Sequence, residues 1–147
     1  MLLGPMSQGV PLPRKPLVTF PSQVQSDCSD LIGRPYKLGA DGSGPEIDCI
    51  HLCYVALSRM GIETPPFKKS WYEAEEREIV RDILKWGFRV ERPEYDGDIL
   101  LLPQLNWAFA VTWQNGVLYI NPQTMKVDWA LAQAFTAPRC FRSNANS

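Results

Sequence analysis

Histidine is almost missing from this chain. His51 is the one imidazole in 147 residues, so a zinc site built on histidines has too few ligands. The four cysteines, Cys28, Cys49, Cys53 and Cys140, contain no C-x-x-C pair, and neither a metal nor another cofactor is expected. Cys49 and Cys53 lie four apart, a spacing that aligns side chains on a helix but suits a disulfide poorly, so reduced thiols are expected. No apolar run approaches the roughly eighteen residues that a membrane span needs. Met1-Leu2-Leu3-Gly4-Pro5 has neither the basic n-region nor the apolar h-region of a secretory signal. The expectation is a cytoplasmic protein, exported only within a particle or by lysis. An excess of either charge is missing too: 15 basic and 16 acidic side chains give a net −1, which argues against a dedicated nucleic-acid binder.

What is present fits one globular domain. Hydrophobic residues make up 45% and charged residues 21%, which leaves disordered, collagen-like and coiled-coil readings unsupported. A chain of this length can bury about two thirds of its unfolded surface around a single core. Residues 1–22 hold Pro5, Pro11, Pro13, Pro16 and Pro21 and read as an extended arm that lies over the domain or meets a protein partner. Residues 23–147 form the domain. Ser22 can cap a short helix to about residue 31, ended by Gly33 and Pro35. A second helix is predicted over residues 49–60, with Leu52, Val55, Ala56 and Met60 on one face and Gly61 as its stop. Ser70-Trp71-Tyr72-Glu73 reads as a capping box opening a charged helix to about residue 85. The period then changes. Ile99–Leu102 and residues 109–113 read as strands, Asn115-Gly116 as a hairpin turn into residues 117–120, and residues 135–141 as a last edge strand. Helices first and antiparallel strands afterwards predict an α+β fold.

Cys49 stands out in this plan. It follows Asp48 at the start of the apolar helix, behind the Gly-rich turn of residues 39–44. First-turn amides and the helix macrodipole favour negative charge there and can lower a thiol's pKa from its free value of about 8.5. Cys49 is therefore either a nucleophile, live or relic, or a small packing residue, as Cys53 on the same face is expected to be. Asp48 is either the N-cap of the helix or a ligand contact. The Gly-rich turn lacks the G-K-[ST] ending of a phosphate loop.

Three blocks are similar to the NlpC family of papain-like cell-wall cysteine peptidases, which cleave the peptide stems of bacterial peptidoglycan. Gly33-Arg34-Pro35-Tyr36-Lys37-Leu38-Gly39 resembles the family's G-x-P-Y-x-x-G. Asp48-Cys49-Ile50-His51-Leu52 resembles D-C-S-G-L, and Gly97-Asp98-Ile99-Leu100 resembles the G-D-L-V strand opening. With the stretch at residues 61–65, the likeness is to the branch found in phage tail-tip proteins. The resemblance implies a papain-like fold in which the nucleophile helix packs on an antiparallel sheet. It also implies that Cys49 attacks the scissile carbonyl, that Asp48 helps bind the substrate's free amine, and that the Tyr36 hydroxyl sits at the site.

The departures bear on activity. Laid against the family's H-V-G-I-Y-L-G-N-G, the chain reads Ala108-Phe109-Ala110-Val111-Thr112-Trp113-Gln114-Asn115-Gly116, so Ala108 stands where the base histidine belongs. Trp107 beside it either fills the cleft or offers a stacking surface. The family's third polar position falls near Asn121, which before Pro122 also suits the end of a strand. His51 lies two residues from Cys49, about 200° around a helix, so the two side chains diverge, and no orienting partner for His51 is evident. A positioned general base is worth about 10²–10⁴ in rate, and losing a triad member costs up to about 10⁶. The expectation is an NlpC-like homologue that is inactive or very weak and keeps a structural or glycopeptide-binding role, with a peptidoglycan stem peptide as ligand. Two alternatives stay open: a hydrolase or acyltransferase that recruits His51, Asp48 or Tyr36 as base, and an interaction module of a phage-tail-like assembly.

Overall fold

The computed structural model describes residues 27–146; the predicted arm over residues 1–22 and the start of the first predicted helix lie outside them. The architecture is α+β. Helix α1 (Cys49–Arg59) and helix α2 (Glu76–Ile83) precede or flank an antiparallel sheet of strands β1 (Gly87–Val90), β2 (Ile99–Leu102), β3 (Ala108–Trp113), β4 (Gly116–Asn121), β5 (Lys126–Leu131) and β6 (Arg139–Ser143). The six strands run in the order β1-β6-β2-β3-β4-β5.

Helix α1 forms where the apolar spacing predicts it and buries Ile50, Leu52, Cys53, Ala56 and Leu57. It stops because Gly61 takes a left-handed φ of 74° that releases the chain into residues 62–68. The helix packs on β3 and β4. Each strand alternates between the two faces of the sheet, so Phe109, Val111 and Trp113 join the core under α1. Leu100, Leu102, Ala110, Val117 and Cys140 form a second core on the opposite face, beneath Leu105, Tyr119 and Phe135.

Four sequence expectations are corrected here. Ser70 does not open a helix. Lys69–Tyr72 is a 3-10 turn, and α2 starts at Glu76 behind Glu75, which makes no side-chain cap. The cause is aromatic: Trp71 is pulled inward to stack on Phe109 with centroids 5.6 Å apart, and its Nε1 donates to the buried Asp82 at 2.9 Å. Before residue 32 the described chain shows only the 3-10 turn Ser29–Leu31.

The hairpin turn is Gln114-Asn115, both at positive φ, because Trp113 pairs with Gly116. Gly116 is already strand, and the Trp129 indole lies where its Cβ would be. The last strand is not an edge. β6 is hydrogen-bonded between β1 and β2, and the edges are β1 and β5, both unpredicted.

An ion pair locks that central position. Arg142 of β6 donates from Nε and Nη2 to the two carboxylate oxygens of Asp98, at 2.9 Å each, and its guanidinium lies 4.4 Å from the Tyr95 ring centroid. Asp98 is fully buried and also accepts the backbone N–H groups of Glu94 and Tyr95 at 2.9 and 3.0 Å.

Candidate functional site

The loop before α1 is held open by its own hydrogen bonds. Arg34 Nη1 donates to the Gly42 carbonyl at 2.9 Å, the Asp41 carboxylate accepts the Ser43 N–H at 2.9 Å, and Tyr36 bridges to Ile47. This brings Gly39 over the start of α1, where its N–H donates to Asp48 Oδ2 at 3.0 Å.

Asp48 organises the site. It is the N-cap of α1, as its residue type predicts, with Oδ1 accepting the His51 N–H at 2.8 Å. The same oxygen lies 2.9 Å from His51 Nδ1, and Oδ2 also accepts the Tyr72 hydroxyl at 2.5 Å. With only 1% of its surface exposed, the carboxylate has each oxygen engaged twice by neighbours inside the protein. His51 therefore does have an orienting partner, against the sequence expectation. It sits at the third helical position, whose side chain reaches back to the N-cap, and that geometry was the available signal. The Phe67 ring meets the imidazole edge-on with centroids 5.3 Å apart.

Tyr72, which the sequence reading overlooked, is the other member of the site. Burial, then the hydrogen bond to Asp48, then the charges of Asp48, Cys49 and Tyr36, all push its hydroxyl pKa upward. The Tyr36 hydroxyl is raised by burial, then by Cys49 and Asp48. Two phenols, a carboxylate, a thiol and an imidazole thus share the mouth of α1.

Cys49 begins the helix as predicted, but burial outweighs the pull of the helix start on its thiol. Burial pushes its pKa from 9.0 up to about 11; the Phe109 N–H and the amides of Cys49 and Ile50 pull it down, Asp48 pushes it up, and burial wins. The expected lowering by the helix start is present and insufficient.

Ala108 opens β3 opposite Leu102, and strand alternation turns it with Ala110 away from α1. Phe109 is the residue of this strand start that joins the core under the helix. Trp107, at φ 63°, packs against that core, and the Arg139 guanidinium lies 5.0 Å from its ring centroid. Asn121 ends β4, as its place before Pro122 suggests. Its Nδ2 donates to Asp128 Oδ2 at 3.1 Å and its Oδ1 accepts the Gln123 N–H at 2.9 Å.

Among the described residues no cluster of three or more His, Cys, Asp or Glu side chains could hold a metal ion, and no helix is long and apolar enough to cross a membrane.

The thiols also set a pH limit. Burial raises Cys28 to about 11 and Cys140 to about 12, and it raises Cys53 as well. Above pH 9 the unfolded chain loses thiol protons that the folded chain keeps, so stability is whole below that point and falls as pH climbs toward the folded values. Urea midpoints measured at about pH 7.5 and about pH 10 should therefore drop, and Cys28→Ala should lessen the drop; a pH-independent midpoint would contradict the burial. No protein-family model and no curated protein matches the chain.

Proposed function

We propose that this chain is a degenerate NlpC-like domain of papain-like fold, related to peptidoglycan endopeptidases, whose cysteine site is inactive or very weak and persists as a structural or glycopeptide-binding element. The observation that carries this is the raised pKa of a helix-start cysteine that has Phe109, not an imidazole, beside it. A peptidase cysteine needs a thiolate near neutral pH and a general acid, the protonated form of its base, to protonate the leaving amine. The one histidine of the chain has Nδ1 directed to Asp48. A ligand at the helix mouth would meet the hydroxyls of Tyr36 and Tyr72, groups suited to the amides of a stem peptide.

The test is alkylation of Cys49 by iodoacetamide across pH, read by peptide mass spectrometry against Cys28, Cys53 and Cys140. A rise of two pKa units lowers the thiolate fraction at neutral pH by about 100-fold, so Cys49 should label slowly with no midpoint below about pH 10. Selective fast labelling with a midpoint below about pH 8 would restore the working hydrolase or acyltransferase. Muropeptide binding should survive Cys49→Ala. Absence of binding to any peptidoglycan fragment would leave the structural role alone.

A further inference from the structure

An ionised carboxylate offers about four lone-pair positions on its two oxygens, and in Asp48 all of them are filled from within the chain. Oδ1 takes the His51 N–H at 2.8 Å and Nδ1 of the same residue at 2.9 Å; Oδ2 takes the Gly39 N–H at 3.0 Å and the Tyr72 hydroxyl at 2.5 Å. A ligand ammonium would have to displace one of these donors in a group that is 1% exposed, and the bond gained would be offset by the bond lost. The imidazole is different. Nδ1 lies between that carboxylate oxygen and the Tyr72 hydroxyl oxygen, 3.5 Å away, whose own proton is turned to Oδ2. Both neighbours are acceptors, so Nδ1 carries the proton and the neutral ring keeps its lone pair on Nε2. Nε2 has no hydrogen-bond partner among the described residues, where the one buried side-chain nitrogen or oxygen without such a partner is Glu76 Oε2. It therefore reaches solvent, on a ring that is 20% exposed and braced by Phe67 and Tyr54 at centroid distances of 5.3 and 6.2 Å.

We propose that His51 Nε2, and not Asp48, is the acceptor that meets the ligand of this site. The site then takes an acylated nitrogen, the amide N–H of a stem peptide still joined to its sugar, and gains nothing from a free amine. The inference rests on the glycopeptide reading and names which form of the stem peptide is bound. An amide N–H donates one hydrogen bond and carries no charge, which suits a neutral acceptor among aromatic rings. A free ammonium would shed water with no carboxylate lone pair left to receive it. Because Asp48 fixes the tautomer and the rings brace the imidazole, the acceptor is aimed before the ligand arrives, and little ordering remains for binding to supply.

The chain has a single histidine, so its ring nitrogens give one pair of NMR signals and the test is read on the unaltered protein. At about pH 8, above the range in which imidazoles usually titrate, the spectrum should show a proton on Nδ1 and none on Nε2. The protein is then titrated with N-acetylmuramoyl-L-alanyl-D-isoglutamine and with the free dipeptide L-alanyl-D-isoglutamine. The acylated compound should move the Nε2 signal and bind no more than about threefold more weakly than the free amine; an amine received by a carboxylate would lose about tenfold or more on acylation. A proton on Nε2 overturns the proposal, as does binding that leaves Nε2 unmoved, or a free amine that binds about tenfold tighter. Binding of neither compound overturns the glycopeptide reading itself, and the inference falls with it. The two failures are told apart by whether either compound binds.

Discussion

Asp98→Ala is expected to lower the unfolding free energy by about 3–5 kcal/mol, because it takes the buried partner from a nearly buried guanidinium and leaves Arg142 only the half-exposed Glu94, at 3.5 Å. The Arg142 side chain is 10% exposed and that of Asp98 is 0% exposed, so little solvent can take the place of the lost carboxylate. The substitution also orphans the N–H groups of Glu94 and Tyr95 that hold the turn into β2. For a chain of this size the loss corresponds to a fall in Tm of about 10 °C. The double variant Asp98→Leu/Arg142→Leu should be less damaging than the sum of the two single variants, since it removes both charges together. A single-variant loss under about 1 kcal/mol in urea titration would mean that water reaches the pair, and would contradict the burial.

Asp48→Ala should come next, at about 2–4 kcal/mol. Loss of an N-cap costs about 0.5–2 kcal/mol, and the Gly39 N–H and Tyr72 hydroxyl lose a buried acceptor, at about 1–3 kcal/mol for each group left unsatisfied. These losses overlap, because the loop can relax once its anchor is gone. Asp48→Asn separates them. One amide oxygen can still cap the helix, but the NH₂ group then faces two donors, so a cost of about 1–2 kcal/mol is expected. If Asn and Ala cost the same, the cap contributes nothing and the hydrogen bonds to Oδ2 carry the whole effect. Thermal melts of the three proteins, together with the ring signals of His51, decide it: the imidazole should lose its fixed orientation in the Ala variant alone.

The parts of this fold legible in the sequence are those specified by local pattern. Ile99–Leu102 is a run of four apolar residues, all fully buried, and it lies where the run predicts. Helix α1 begins at Cys49 and ends beside Gly61, because a capping aspartate and a C-terminal glycine bracket an apolar face. Illegible were the elements, and for the predicted last strand the place in the sheet, whose residues look polar until their partners are known. β6 reads Arg139-Cys140-Phe141-Arg142-Ser143, poor in alternation, and becomes central only because Asp98, 44 residues away, neutralises Arg142. β5 carries Lys126 and Asp128, and its place depends on pairing with β4 along its whole length and with Pro35 on the other side.

The site divides the same way. Cys49 and Asp48 could be located from sequence, but the balance between helix-start amides and burial depended on how closely β3 approaches, which no local pattern records. Tyr72 reached the site from a 3-10 turn 24 residues beyond Asp48, placed by the neighbouring Trp71.

The insertion of β6 between β1 and β2 has a consequence for biosynthesis. Among the described residues β1 has no other strand partner, so it lacks this pairing on the nascent chain until residues 139–143 have emerged from the ribosome. Up to that moment β2 offers an open hydrogen-bonding edge made of Ile99, Leu100, Leu101 and Leu102, the kind of apolar edge that recruits other chains. Products stalled or cleaved before Arg139 would therefore carry α1, its cysteine and most of the sheet, yet aggregate, and the yield of this protein would depend on how quickly its last strand is delivered.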